Sequence, residues 1–172
     1  FLAKTNIPMT AKVKTLSKGM VTQLHLALIL AIDAKILVLD EPTLGLDILT
    51  RRQFYTHLLE DFYDEDKCII VTTHQIEEIE HILTDVAFIR DGQIALAENV
   101  DEIRRRFKLL AVDNEHLDQG KSLSPLSCHS MMGVTSMLFD NADPAKLAAI
   151  GKVTTPTLAD IFVGVMTQEA KL

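Results

Sequence analysis

Two short runs rich in Val, Ile and Leu, Lys35 to Asp40 and Lys67 to Thr73, flank a polar segment of helical character from Leu49 to Tyr63. Parallel neighbours in a sheet need a crossover of a dozen or more residues, and strands covered on both faces read as near-continuous apolar runs. The pattern therefore predicts an α/β chain built on a parallel sheet with flanking helices. Ahead of the first run, a helical pattern from Ser17 or Lys18 to about Asp33 is apolar on nearly every side, through Leu24, Leu26, Ala27, Leu28, Ile29 and Leu30. Such a helix is expected to be buried. Beyond the second run come a helix from Gln75 to about Leu83 and two apolar runs, 86–90 and 93–96, joined by Asp91-Gly92, a strong hairpin signal.

After Asn99 the character changes. The pattern predicts a short helix over 100–107, a strand over 108–113, a loop over 114–130 that collects Gly, Ser, Pro and His, a strand over 134–139, a helix over 145–150 and a last helix from Leu158 to Gln168. These elements make a small α+β appendage. The expected organisation is residues 1–99 as one portion and 100–172 as an accessory region.

Composition narrows the function classes. With 48% hydrophobic residues in 172, the chain can bury a substantial core. A net charge of −7 disfavours a nucleic-acid backbone as partner, despite the local run Arg104-Arg105-Arg106. The longest apolar stretch, Leu24 to Ile32, still contains His25 and falls well short of the roughly 20 residues that a membrane-spanning helix needs. Cys68 and Cys128 do not form the dense cysteine framework of a small secreted domain and read as free thiols in a reducing compartment.

The first apolar run ends in two carboxylates, Asp40 and Glu41, before Pro42. Side chains alternate along a strand, so the two acids face different ways at its carboxyl end, where open α/β sheets place their ligands. They can hold a metal, serve as a base, or simply meet solvent. Ser17 stands where a helix N-cap belongs, and the first helical N–H groups make an anion site there; Gly19 would allow close approach of a phosphate. Asp47 can cap the helix that begins at Ile48 or face a partner. His74 ends the run Val71-Thr72-Thr73 and would reach the same sheet edge as the acids. A metal site on His74 and His81 has poor geometry, because seven helical residues rise about 10.5 Å. Cys128-His129 with Met131 and Met132 lacks the spaced partners of a soft-metal site.

Taken together, these segments resemble the nucleotide-binding domain of the ABC-transporter ATPases. Leu16-Ser17-Lys18-Gly19-Met20 resembles the family's signature sequence, Ile36 to Glu41 its Walker B strand with the catalytic glutamate, Leu44-Gly45-Leu46-Asp47 its D-loop, and His74 its switch histidine. Their order and spacing match over about residues 12 to 98, and Thr155-Pro156-Thr157-Leu158 onward resembles the ending of ATPases that pair with separate permeases. Lys18 and Met20 depart from the signature, while Ser17 and Gly19 keep to it.

The resemblance implies a partial P-loop NTPase-type sheet, with ATP and Mg²⁺ as cofactors. Asp40 would be the Mg²⁺ ligand, Glu41 the general base or water-orienting group, and His74 a γ-phosphate contact. Ser17, Gly19 and Asp47 would serve the nucleotide site of a second ATPase subunit. It also implies a transmembrane permease as partner, no nucleic acid, and a cytoplasmic place at the inner face of the cell membrane. The chain lacks the phosphate loop Gly-x-x-x-x-Gly-Lys-Ser/Thr; at Glu115 to Ser122, Gly-Lys-Ser occurs with Glu115 where the first glycine belongs. From this, and from its start at Phe1, the sequence is expected to be the carboxyl-terminal portion of such a domain, inactive alone. Two other readings are a degenerate dimerisation or regulatory domain and the ATPase head of a chromosome-maintenance protein.

Overall fold

A computed structural model describes residues 2, 5, 7–32 and 34–167. The chain divides into two compact units, Phe1–Glu78 and Ile79–Leu172.

In the first unit, helix α1 (Lys18–Leu30) is followed by strand β1 (Ile36–Asp40), helix α2 (Ile48–His57), a π-helical turn at Leu58–Phe62 and strand β2 (Cys68–Thr72). β1 and β2 pair in parallel from Ile36 opposite Cys68 to Asp40 opposite Thr72, as the apolar runs predicted. Leu37 and Leu39 point to a buried face, with Phe54, Tyr55, Leu58 and Phe62 in the same unit's core.

Two expectations fail here. The sheet is not covered on both faces: Ile36 and Val38 are each 62% exposed, and Cys68 and Ile70 beside them are exposed as well. Nor is α1 buried all round, since only Leu26 and Ala27 are enclosed while Leu28 is open. Both have one cause: the apolar pattern asks for more packing partners than the described residues supply. The expected helix end at Asp33 lies outside the described residues.

The second unit begins within a short helix, α3 (Ile76–Ile79), that is shorter than the sequence suggested. A hairpin of β3 (Asp85–Arg90) and β4 (Gln93–Asn99) follows, its two-residue turn at Asp91 and Gly92 having positive φ at both positions, as a tight turn matched to strand twist requires. Helix α4 (Val100–Arg106) is capped by Asn99, whose Oδ1 accepts from the Asp101 N–H.

The chain then runs β5 (Phe107–Val112), α5 (Leu117–Ser122), β6 (Ser127–Met131), β7 (Val134–Asp140), α6 (Pro144–Ala148), β8 (Lys152–Thr154) and α7 (Leu158–Thr167). The strands lie in the order β6-β7-β5-β8, every neighbouring pair antiparallel. This β-α-β-β-α-β succession is the ferredoxin-like arrangement. The stretch expected as a loop over 114–130 thus contains α5 and β6. The Gly-Lys-Ser of the false phosphate loop lies inside α5, with Gly120 packed on Met137, so it cannot wrap a polyphosphate. The expected end of the last helix at Gln168 lies outside the described residues.

Alternation along β5 and β7 sends Leu110, Val112, Met137 and Phe139 to one face, where they form a core with Leu147 of α6 and Leu117 of α5. Leu138 faces the other way, toward α7, whose Leu158 and Ile161 are fully buried and whose Phe162 packs edge-on against Phe88. Where β4, α4 and β7 end, Arg106 joins Glu98 and both oxygens of Asp140, pairings that hold the guanidinium firmly protonated.

At Gly151 the entry to β8 comes so close to β5 that a Cβ would lie 2.4 Å from the Ala111 carbonyl oxygen. A backbone atom cannot step aside, so Gly151→Ala is expected to destabilise the second unit by about 1–3 kcal/mol, read as a lowered midpoint in chemical denaturation.

Candidate functional site at the strand ends

Parallel pairing in register brings the carboxyl ends of β1 and β2 side by side. Asp40 stands opposite Thr72, whose hydroxyl donates to Asp40 Oδ1. The ladder continues one residue further, with the Glu41 N–H donating to the Thr72 carbonyl at 2.9 Å.

At Glu41 the chain leaves the strand with φ +45°, the left-handed region, and Pro42 follows. A non-glycine residue there is strained, and such strain persists only where surrounding contacts over-determine it. Here the carboxylate adds its own contacts to the main-chain bonds of Glu41. Oε1 accepts from the His74 N–H at 3.0 Å and lies 2.6 Å from His74 Nδ1, while Oε2 accepts from the Thr73 hydroxyl at 3.2 Å. A carboxylate only accepts, so Nδ1 carries the proton and Nε2 of the exposed ring is left toward solvent. The His74 hydrogen bond is the main cause that holds Glu41 below its ordinary pKa, with smaller help from Thr73.

After Pro42, two consecutive turns lead to α2. Leu44 N–H donates to the Glu41 carbonyl and Leu46 N–H to that of Thr43. Gly45, at φ +80°, occupies the third place of the second turn, which a side chain would strain. Thr43 is buried with its hydroxyl 3.4 Å from that of Tyr55, whose ionisation burial pushes up. Asp47 caps α2: Oδ1 accepts from the Leu49 and Thr50 N–H groups, each at 3.0 Å, and Oδ2 from the Thr50 hydroxyl at 2.7 Å. Those bonds, from Thr50 above all, lower its pKa. Ser17 caps α1, its Oγ accepting from the Met20 N–H at 3.3 Å, and a Cβ on Gly19 would come within 3.9 Å of the Leu46 side chain.

The structure thus brings Asp40, Glu41 and His74 together. Ser17, Gly19 and Asp47 make no hydrogen bond to that trio among the described residues. Thr72 and Thr73 hold the acids, and the sequence signal for them was two hydroxyls directly before the histidine. Arg51, which ties the Leu46 carbonyl to Gln75 and Glu78, had no sequence signal at all.

Residues 10–80 match the model of an AAA-domain family whose description also names a putative AbiEii toxin of a type IV toxin–antitoxin system. The chain is 32% identical over 101 residues to the ABC transporter ATP-binding protein YtrB of Bacillus subtilis, covering 59% of this chain and 35% of that protein. It is 36% identical over 89 residues to the lantibiotic transport ATP-binding protein SrtF of Streptococcus pyogenes, 52% of this chain and 38% of that one. Over about half of this chain, its homologues are ABC transporter ATP-binding proteins. The chain spans little more than a third of the length of these relatives. A solved structure described as a cobalt transport ATP-binding protein aligns over 89% of this chain and 52% of that one at 18% identity and TM-score 0.44, too distant a likeness to support an inference.

Because the folded pKa of Glu41 lies below the ordinary 4.5, the stability that its contacts contribute is complete above that value and is lost as pH falls through the lower folded one. Removing the main cause reverses the shift: in His74→Ala, the Glu41 carboxyl resonance is expected to titrate closer to 4.5 in a ¹³C NMR pH series.

Proposed function

We propose that this chain supplies the metal-binding, water-orienting and phosphate-sensing groups of an ATP-hydrolysing site in an ABC transporter, which couples ATP binding and hydrolysis to movement of a substrate through a separate membrane permease. The observation that carries this reading is the closed set of hydrogen bonds that Glu41 makes with Thr73 and His74, directly beside Asp40.

The donors suit Mg²⁺. Asp40 is exposed, shares Oδ1 with the Thr72 hydroxyl, and has no partner on Oδ2 among the described residues. Carboxylate and hydroxyl are hard oxygen donors, and Mg²⁺ is commonly held by one or two carboxylates with waters and substrate phosphates rather than by a protein cage. When bound, Mg²⁺ and ATP would supply charge neutralisation and the phosphoryl group.

The chain's own groups divide the remaining work. Glu41, with its carboxylate held by Thr73 and His74, can accept a hydrogen bond from water and orient it. In that paired state it is a weakened base, since His74 lowers its pKa. If His74 turns to an anion through its ring, Glu41 loses that hydrogen bond and becomes more basic. Ser17, Gly19 and Asp47 are assigned to the nucleotide site of a second subunit, to which helix ends and exposed turns can be presented.

The phosphate cradle is assigned to polypeptide outside this sequence. The open apolar face of β1 and β2, with Ile36, Val38 and Ile70 exposed, supports this, because parallel sheets are stable when both faces are covered. Residues 1–99 are the ATPase portion in this reading and 100–172 an accessory region. Among the described residues no helix is long and apolar enough to cross a membrane. The permease is assigned to a separate chain, and this one to the cytoplasmic face of the membrane, on the likeness of about half the chain to ABC transporter ATP-binding proteins.

Residues 1–172 alone are expected to show no substantial ATP hydrolysis. In the longer protein or complex carrying a phosphate loop, Glu41→Gln is expected to lower kcat by roughly 100-fold or more, with ATP binding retained. Hydrolysis by the isolated chain would overturn the assignment of the cradle elsewhere, and a Glu41→Gln enzyme turning over at the parental rate would overturn the role of Glu41.

A further inference from the structure

Arg51 takes no part in the chemistry above, yet it bridges the two segments that carry it. Its Nε–H donates to the Leu46 carbonyl at 2.7 Å, and its Nη1 donates to Gln75 Oε1 at 2.8 Å and to Glu78 Oε1. The side chain is 19% exposed, well shielded for a surface ion pair. Leu46 immediately precedes Asp47, and Gln75 immediately follows His74.

The bridge extends further. The Gln75 N–H donates to Thr73 Oγ1 at 3.0 Å, and the Thr73 hydroxyl donates to Glu41 Oε2. A closed circuit results: Glu41, the turns through Pro42 to Leu46, Arg51, Gln75, Thr73, and Glu41 again. Every link in it except the turn backbone is a hydrogen bond, and members of one network shift together.

We propose that Arg51 is a positioning residue that locks the Leu46-Asp47 turn to the segment behind His74, so that displacement of the turn is transmitted to the Glu41–His74 pair. The inference rests on the ATPase reading for its consequence: contact of Asp47 with a second subunit would then set the water-orienting group in the first. The guanidinium is suited to this because its donors are fixed in one plane and can address a backbone carbonyl and two side chains at once. A lysine ammonium can keep the charge pairing with Glu78 but not the fixed fork. A residue that merely stabilised the unit would, when replaced, lower stability without changing how one segment responds to the other.

The test is amide hydrogen exchange by NMR on the 172-residue chain. Gly45→Ala strains the turn without altering charge, since Gly45 sits at φ +80°. With Arg51 present, it is expected to speed exchange of the His74 amide by about tenfold, within the range of couplings between members of one network. In the Arg51→Lys background, the same change is expected to alter that rate by less than about twofold. An equal increment in both backgrounds, or none with Arg51 intact, overturns the proposal. Should Gly45→Ala unfold the unit, seen as equal acceleration at Leu37 and Leu39, Asp47→Asn keeps a capping oxygen and serves as the perturbation with the same two outcomes. The ATPase reading fails separately: hydrolysis indifferent to Glu41→Gln removes it while leaving the exchange result in place.

Discussion

The first unit depends on the register of one parallel strand pair. With Asp40 opposite Thr72, the next residues out of each strand fall where Glu41 can bind the Thr72 carbonyl and where Thr73 and His74 can reach the Glu41 carboxylate. A slip of one residue would turn Leu37 and Leu39 outward and send Asp40 to the buried face, so burial and site geometry enforce the same register. The strand–helix–strand order matters because it allows two strands to end at one edge.

Much of this was legible in the sequence, for identifiable reasons. The apolar runs 35–40 and 67–73, the Asp91-Gly92 turn and the caps at Ser17 and Asp47 each rest on local chemistry, and each appears in the structure. The adjacency of Asp40, Glu41 and His74 followed from parallel pairing. The link from Arg51 to Gln75 and Glu78 did not, because it joins residues more than 20 apart and nothing local distinguishes Arg51 from its neighbour Arg52.

In the second unit, the misses are also physical. β6 is Ser-Cys-His-Ser-Met, without the Val, Ile or aromatic content that marks a strand, and it exists because β7 pairs with it along its length. Its hairpin turns at Met132 and Gly133, both with positive φ, and Met-Gly gives no turn signal of the Asn-Gly kind. β8 is only three residues long and follows Gly151, whose missing side chain lets it reach β5. Within what read as a small α+β appendage lies a four-stranded sheet with buried side chains on both faces.

The left-handed turn of the backbone at Glu41 has a consequence for how this edge can diverge. Its carboxylate, the proposed water-orienting group, is also one of the contacts that keep its own main chain in an unfavourable conformation. A replacement that cannot accept from Thr73 and His74 removes that contact, so the strand end and the turn toward Asp47 lose a shared support. Loss of the proposed chemistry at this position would therefore be felt in the surrounding loops. A descendant that had lost the acid would be recognisable by a remodelled strand exit as well as by the missing side chain.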